Sequence, residues 1–210
     1  MKLLHIDSSN SGEGSASRQI SAAVVAAFTR AMPGLEVIRQ DLDVDPIPHL
    51  DSRRLPTVRP ANAPEGAAGI PDSEGASALD EFLTADVVVM GAPTYNLTVP
   101  SQLKAWIDRI LIAGKTFRYS ETGPVGLAGG KRVIIASSRG GLYAPGMPCE
   151  VNDFQEKYLR AVFGFIGIED VEIVRAEGLA LGPEQREAAI GAALASVPSA
   201  VTRFATREAA

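Results

Sequence analysis

Three short stretches carry the residues that can do chemistry. "DSSNSGEGSASR" (7–18) spaces hydroxyls at Ser9, Ser15 and Ser17 among glycines, just ahead of a helical run. The free N–H groups of a helix start, joined by hydroxyl donors, can hold a phosphate without a formal positive charge. The stretch has neither the G-x-x-x-x-G-K-[ST] nor the G-x-G-x-x-G pattern. A terminal phosphomonoester therefore suits it better than a triphosphate, which calls for Lys and Mg²⁺. A Ser-rich turn with Ser15 as an N-cap explains the same residues without a ligand. In "GAPTYNLTVP" (91–100) a Tyr and an Asn follow an apolar strand where an ordinary turn would carry small residues. Backbone amides after Pro93 can hydrogen-bond the edge of a heterocycle, Tyr95 and Leu97 can pack near its face, and Asn96 both donates and accepts. The plainer alternative is a turn with Tyr95 capping the core. In "SSRGG" (137–141) Ser138 and Arg139 leave a buried strand, and Gly140-Gly141 lets the backbone approach a ligand closely. A solvated Arg139 beside a glycine turn is the alternative there.

These stretches act together only if the fold brings them to one edge. Residues 2–7 (KLLHID) read as a buried strand, and 16–32 follow with Ile20, Val24, Ala27 and Phe28 on one helical stripe, ended by Pro33-Gly34. Residues 35–41 alternate as a second strand. From Asp43 to about Ser73 the chain is rich in Pro, Ala and Gly without periodicity, which predicts a long functional or mobile connection. A helix over 74–85 then leads to a strand over 86–91 and a helix over 100–113. A strand over 131–138, a helix over 151–165 and a strand over 171–177 follow, and Pro183 suits the first position of a closing helix. Five strands alternating with five helices predict one α/β domain over 1–210, a doubly wound parallel sheet with helices on both faces. In such sheets ligands sit outside the carboxyl ends of the strands, where the winding switches. All three stretches leave carboxyl ends. A phosphate site with a ring cradle a short distance away describes FMN.

Composition narrows the classes further. The chain has 210 residues, 46% hydrophobic and 21% charged, enough for one well-buried domain. Its net charge of −5 argues against a nucleic-acid groove or an anionic membrane surface. A single cysteine, Cys149, leaves no disulfide framework within the chain and fits a reducing cytoplasm. No signal peptide is expected, because Asp7 interrupts the first apolar run, and no stretch approaches the roughly 18 apolar residues of a membrane span. The two histidines, His5 and His49, suggest no metal cluster.

The chain resembles the FMN-dependent NADH-azoreductase and NADH:quinone reductase family of flavodoxin-like proteins. The matching stretches are "SSNSGEGSAS" (8–17), "PTYNLTVPSQLKAWIDRI" (93–110), "AGKTFRYSETGPVGLAGGK" (113–131), "SSRGG" (137–141) and "GFIGIEDVEIVRAEG" (164–178). They cover most of the chain, and the TFRY-x-E-x-G-P-x-G-L run is specific. The resemblance implies a flavodoxin-like sandwich with one FMN per subunit, NADH or NADPH as electron donor and a quinone or azo compound as acceptor. It implies a homodimer, and the absence of a second nucleotide fingerprint predicts a ping-pong cycle through one FMN site. Phosphate contacts are implied at Ser9, Ser15, Ala16 and Ser17. Isoalloxazine contacts are implied at Thr94, Tyr95, Asn96 and Leu97 and at Ser138, Arg139, Gly140 and Gly141. Tyr119 is placed near the substrate space and Phe165 over the flavin of a partner subunit. Arg139 joins them as a catalytic candidate, its guanidinium expected to face negative charge developing on the pyrimidine ring. Thr94 and Leu97 stand where the family commonly has Met and Phe, so the apolar lining is smaller. The 142–150 segment looks longer than usual, and 51–73 is poorly matched.

Other classes compete. A non-enzymatic flavodoxin-type electron carrier shares the FMN site but would not consume NADH with a quinone. An esterase nucleophile after the first strand needs a His base near the carboxyl end, and no His follows His49. A phosphorylation receiver needs an acceptor Asp where this chain has Gly91-Ala92.

Overall fold

The computed structural model describes residues 1–51 and 73–207; residues 52–72, most of the expected long connection, lie outside the described residues. The strands are β1 (Lys2–Asp7), β2 (Glu36–Asp41), β3 (Val87–Pro93), β4 (Phe117–Ser120), β5 (Gly123–Gly126), β6 (Arg132–Ser138) and β7 (Val171–Ala176). The α-helices are α1 (Ala16–Ala31), α2 (Ser73–Thr84), α3 (Ser101–Ile110), α4 (Gln155–Phe165) and α5 (Pro183–Arg207). Five strands form one sheet in the order β2-β1-β3-β6-β7, every neighbouring pair parallel. The winding reverses between β1 and β3, and a ligand belongs at such a reversal.

The period-2 alternation of each strand sorts side chains between two cores. Leu4, Ile6, Val88, Met90, Val133 and Ile135 meet Phe82 of α2, Trp106 of α3 and Phe163 of α4 on one face. Leu3, Val87, Val89 and Ile134 meet Ile20, Val24 and Phe28 of α1 and Ala193 and Val197 of α5 on the other. Each such large apolar side chain contributes roughly 1.5–3 kcal/mol on burial, so slipping a central strand by one residue would forfeit both cores. β1 and β3 pass closely where Asp7 pairs with Gly91: a Cβ at Gly91 would stand 2.6 Å from Asp7 Oδ1. No helix among the described residues is long and apolar enough to cross a membrane.

The structure departs from the sequence expectation at several points, α3 ending at Ile110 rather than 113 among them. β3 runs to Pro93 rather than 91, because the chain keeps pairing with β6 as far as Pro93 and Ser138. α4 begins at Gln155 rather than 151, behind a short 3₁₀ turn at Glu150–Asn152. The antiparallel pair β4–β5 was not expected at all, since four-residue strands are too short to show a period. This hairpin is seated on the end of α4. The Ala128 N–H donates to Ile166 O at 2.9 Å, and a Cβ at Gly126 would lie 2.1 Å from the Gly167 nitrogen.

Gly126→Ala should therefore force hairpin and helix apart. Overpacking of this kind costs about 1–3 kcal/mol, a fall in melting temperature of roughly 2–12 °C for a domain of this size. A melting temperature equal to that of the parent would show that the hairpin is not seated through this contact.

Candidate active site

Asp7, Gly91 and Ala136 stand level on β1, β3 and β6, so the loops that follow leave from one height. Side chains then tie those loops together. Ser8 Oγ donates to Gly91 O at 2.7 Å, and the Thr94 N–H donates to Ser138 O at 2.8 Å. Buried Gln155 at the start of α4 donates to Ala92 O and accepts from Ser137 Oγ. The Tyr95 hydroxyl lies 3.1 Å from Ser9 Oγ and 3.3 Å from Ser11 Oγ, which joins the first loop to the second. Between these loops lies a depression of about 140 Å³, walled by Ser9, Ser15, Ala16, Thr94, Tyr95, Ser138, Arg139 and Gly140. Ser11, Gly14, Pro93, Leu179 and Arg186 complete the wall. A second depression of about 510 Å³ includes Asn10, Tyr95, Asn96, Ser101 and Tyr158.

The walls carry donors with no partner in the chain. The carbonyls of Ser138, Arg139, Gly140 and Gly141 accept from the N–H groups of Thr94, Leu179, Ala180 and Gly178. Among the described residues, the N–H groups of Gly140 and Gly141 donate to no protein group. The same holds for Ala16 and Ser17 at the start of α1, where Ser15 caps only Arg18. Thr94 Oγ1 is buried and unpartnered. An unmade bond on a buried group costs about 1–3 kcal/mol, which applies to Thr94 Oγ1 and to the buried Ala16 and Ser17, while exposed Gly140 and half-buried Gly141 leave their N–H groups open to a ligand. The turn beside it is strained as well. Tyr95 and Thr98 exchange backbone hydrogen bonds at 2.9 and 3.1 Å, leaving Asn96 and Leu97 between them at φ 47° and 73°. Asn-Gly is the usual pair in such a turn, and a left-handed Leu costs about 1–2 kcal/mol.

A larger groove of about 830 Å³ runs along α1 and β2 and includes Asp7, Arg18 and Asp41. Its central charges, Asp7, Arg18 and Asp41, are paired with one another. Arg18 bonds both Asp41 oxygens and Ser9 O. Burial pushes the Asp7 carboxyl up, but His5 Nε2 at 3.4 Å, a hydrogen bond from Ser21 and the nearby Arg18 charge hold it below the ordinary value. Among the described residues this groove holds one buried atom without a hydrogen-bond partner, His5 Nε2, whereas Thr94 Oγ1 and the free amides of two loops gather at the smaller depression.

Residues 1–200 match a protein family described by a flavodoxin-like fold. Over 199 residues the chain is 56% identical to an FMN-dependent NADH:quinone oxidoreductase of Stenotrophomonas maltophilia (strain K279a), covering 95% of each chain. The chain belongs to this flavodoxin-like oxidoreductase family. Among solved structures it is similar to an azoreductase from Bacillus anthracis str. Sterne, with TM-score 0.84 and 31% identity over 97% of this chain and 100% of that one. It is also similar to an FMN-dependent NADH-azoreductase from Bacillus anthracis str. Ames Ancestor in complex with FMN. There the TM-score is 0.83 and the identity 28%, over 97% of this chain and 98% of that one.

Not every residue that the family resemblance implied reaches the depression. Ser9, Ser15, Ala16, Thr94, Tyr95, Ser138, Arg139 and Gly140 do. The Ser17 hydroxyl is buried 3.1 Å from Ser15 Oγ, so the backbone N–H is the group Ser17 offers. Asn96 lies in the second depression, and Leu97 stands 43% exposed at the turn. Gly141 adjoins the wall residue Gly140, and a Cβ on it would come within 3.1 Å of the Tyr143 ring. Tyr119 and Phe165 line neither depression. Both rings pack on Phe117, with centroids 5.5 and 4.7 Å away, and Tyr119 remains 66% exposed. The structure also adds Asn10, Ser11, Leu179 and Arg186, which the sequence reading missed. Ser11 lay within a stretch already singled out, whereas Leu179 and Arg186 come from the far end of the chain and carry no motif.

Arg139 is buried, unlike the solvated side chain considered as the alternative. Its guanidinium carbon lies over the Tyr143 ring, 5.6 Å from the centroid, and the residue is 1% exposed. It donates to Glu177 Oε1 at 3.0 Å, Asp153 Oδ1 at 3.2 Å and Ser137 Oγ at 3.2 Å, and it pairs with Glu156. Glu177 also accepts from the Tyr143 N–H, so the cluster fixes both ends of the 139–143 loop. Arg139 is a positioning residue: its charge is consumed internally while its backbone presents Gly140. Burial pushes the Glu156 carboxyl up, but hydrogen bonds from Arg175 and the charges of Arg139 and Arg175 outweigh that and hold it below the ordinary value of 4.5.

A depressed carboxylate stabilises the fold fully above its ordinary value, and that contribution is lost as pH falls through the lowered folded value. Glu156→Gln leaves the Arg139 guanidinium short of a buried counter-charge, so at pH 7 it should cost about 3 kcal/mol. In thermal melts the gap from the parent should narrow as the pH is taken below 4.5. A gap unchanged between neutral and acid pH would show that the buried pair contributes nothing.

Proposed function

We propose that the protein is an FMN-dependent oxidoreductase, passing two electrons from NADH or NADPH to quinones and reductively cleaving azo compounds. The observation that carries this reading is the set of unpaired donors gathered at one sheet edge: Ala16 and Ser17 N–H, Thr94 Oγ1, and Gly140 and Gly141 N–H. Ser9, Ser15, Ala16 and Ser17 would hold the phosphate. Thr94 to Leu97, with Ser138, Gly140 and Gly141, would hold the ring. Bound there, FMN would supply two-electron chemistry, accepting hydride from a nicotinamide and delivering it to the acceptor. The chain binds, orients and shields. The amides of Gly140 and Gly141 are the donors available to stabilise negative charge at the ring edge, the task first expected of Arg139. The tie from Tyr95 to Ser9 and Ser11 holds the ring shelf against the phosphate loop. Cleaving an azo bond to two amines takes four electrons and therefore two turns of the cycle.

The names of the relatives favour an enzyme over a non-enzymatic electron carrier. We place the whole chain, 1–210, in one flavin-binding domain working in the cytoplasm as a homodimer. The exposed Leu97, Tyr119 and Phe154 support a second subunit as the missing wall of the site. Phe165, packed on Phe117 in its own chain, would reach that wall only from its place at the end of α4.

The purified protein should be yellow or become so with FMN, which at ~100 times Kd adds about 2.7 kcal/mol of stability. It should consume NADH with a quinone, and it should sediment as a dimer. With donor and acceptor taking one opening in turn, double-reciprocal plots at fixed acceptor concentrations should be parallel. A protein that ignores FMN, or that binds it but leaves NADH untouched, overturns the proposal; intersecting lines overturn the shared opening, and a fully active monomer overturns the dimer.

A further inference from the structure

Arg186 stands in the first turns of α5, far along the chain from the hydroxyl loop, yet it belongs to the same depression as Ser9, Ser11, Ser15 and Ala16. One of its terminal nitrogens donates to Gly14 O, across 172 residues of sequence. A guanidinium has five N–H donors in a fixed fork. Among the described residues Arg186 makes no ion pair, and the Gly14 bond is its one side-chain hydrogen bond. The other arginines near these loops are engaged with carboxylates, Arg139 with Glu177, Asp153 and Glu156 and Arg18 with Asp41. Arg186 is thus a held but uncompensated cation on the wall of the depression.

We propose that Arg186 supplies the fixed positive charge of the phosphate subsite, so that this chain selects phosphorylated flavin over riboflavin through a residue of α5. The inference rests on the FMN reading above. Magnitudes favour it. A helix start amounts to about half a positive charge, whereas a phosphomonoester carries roughly −1.5 to −2 at neutral pH. Hydroxyls and amides satisfy its oxygens but leave most of that charge unmatched. The Gly14 bond fixes the guanidinium at the lip and leaves the rest of the fork available for charge-assisted, bidentate bonds to phosphate oxygens. A second reading of the same bond makes Arg186 only a clamp, tying the Gly12–Gly14 turn to α5, and that reading predicts no preference between flavins.

The test is a fluorescence titration of apoprotein with FMN and, separately, with riboflavin, for the parent, R186Q and R186K. Loss of a bond to a charged group should weaken FMN about 10- to 100-fold in R186Q, with riboflavin changed less than about twofold. R186K, which keeps the charge but not the fork, should fall between. The parent's affinity for FMN should also fall with salt more steeply than its affinity for riboflavin. R186Q binding FMN like the parent overturns the inference and leaves the FMN site standing. Equal losses for both flavins would leave Arg186 as a clamp and likewise overturn it. A parent chain that binds neither flavin removes the FMN reading itself. If R186Q does not fold, equal salt sensitivity of the two flavins in the parent overturns the proposal.

Discussion

β1, β3 and β6 hydrogen-bond side by side with Asp7, Gly91 and Ala136 at one height, and the site exists because of that register. Three loops distant in sequence leave the sheet together, and short polar ties complete what the strands begin. Ser8 reaches Gly91 O, Thr94 reaches Ser138 O, and Gln155 bridges β3 and β6. The register in turn depends on Gly91, since any Cβ there would collide with the buried Asp7 carboxylate. Two apolar cores lock the strands from either side, so the loops are carried on a frame that resists slipping.

On that frame the chain breaks local rules in a small region. Asn96 and Leu97 take left-handed backbone conformations, Thr94 Oγ1 is buried without a partner, and four or more amides go unpaired. The left-handed residues and the buried groups cost stability, and the surrounding structure holds them there. Strain and unmade bonds that gather on one sheet edge belong to binding, whereas scattered ones would be packing faults. The buried cluster of Arg139 with Glu156, Asp153 and Glu177 does the opposite work, satisfying its charges internally so that the loop above it keeps one shape.

The sheet and the convergence of the three loops were legible in the sequence because both follow from local pattern. Val87 to Met90 and Val133 to Ala136 are continuous apolar runs, as a strand covered on both faces must be. The hairpin β4–β5 was illegible, being four residues a side and held by its contact with Gly167 rather than by any period of its own. Side-chain direction was illegible too. Whether Arg139 faces ligand, solvent or core is decided by carboxylates at 153, 156 and 177, and no spacing rule links them to it. Arg186 was invisible for the same reason, since only the closing of α5 against the first loop brings it to Gly14.

Amide hydrogen exchange with and without FMN tests the central claim most directly, that unpaired donors on separate loops form one cofactor site. The account predicts that FMN protects the amides of Ala16, Ser17, Gly140 and Gly141 together, at the same ligand concentration. Protection confined to one loop, or arising instead along α1 and β2 beside the larger groove, would contradict it.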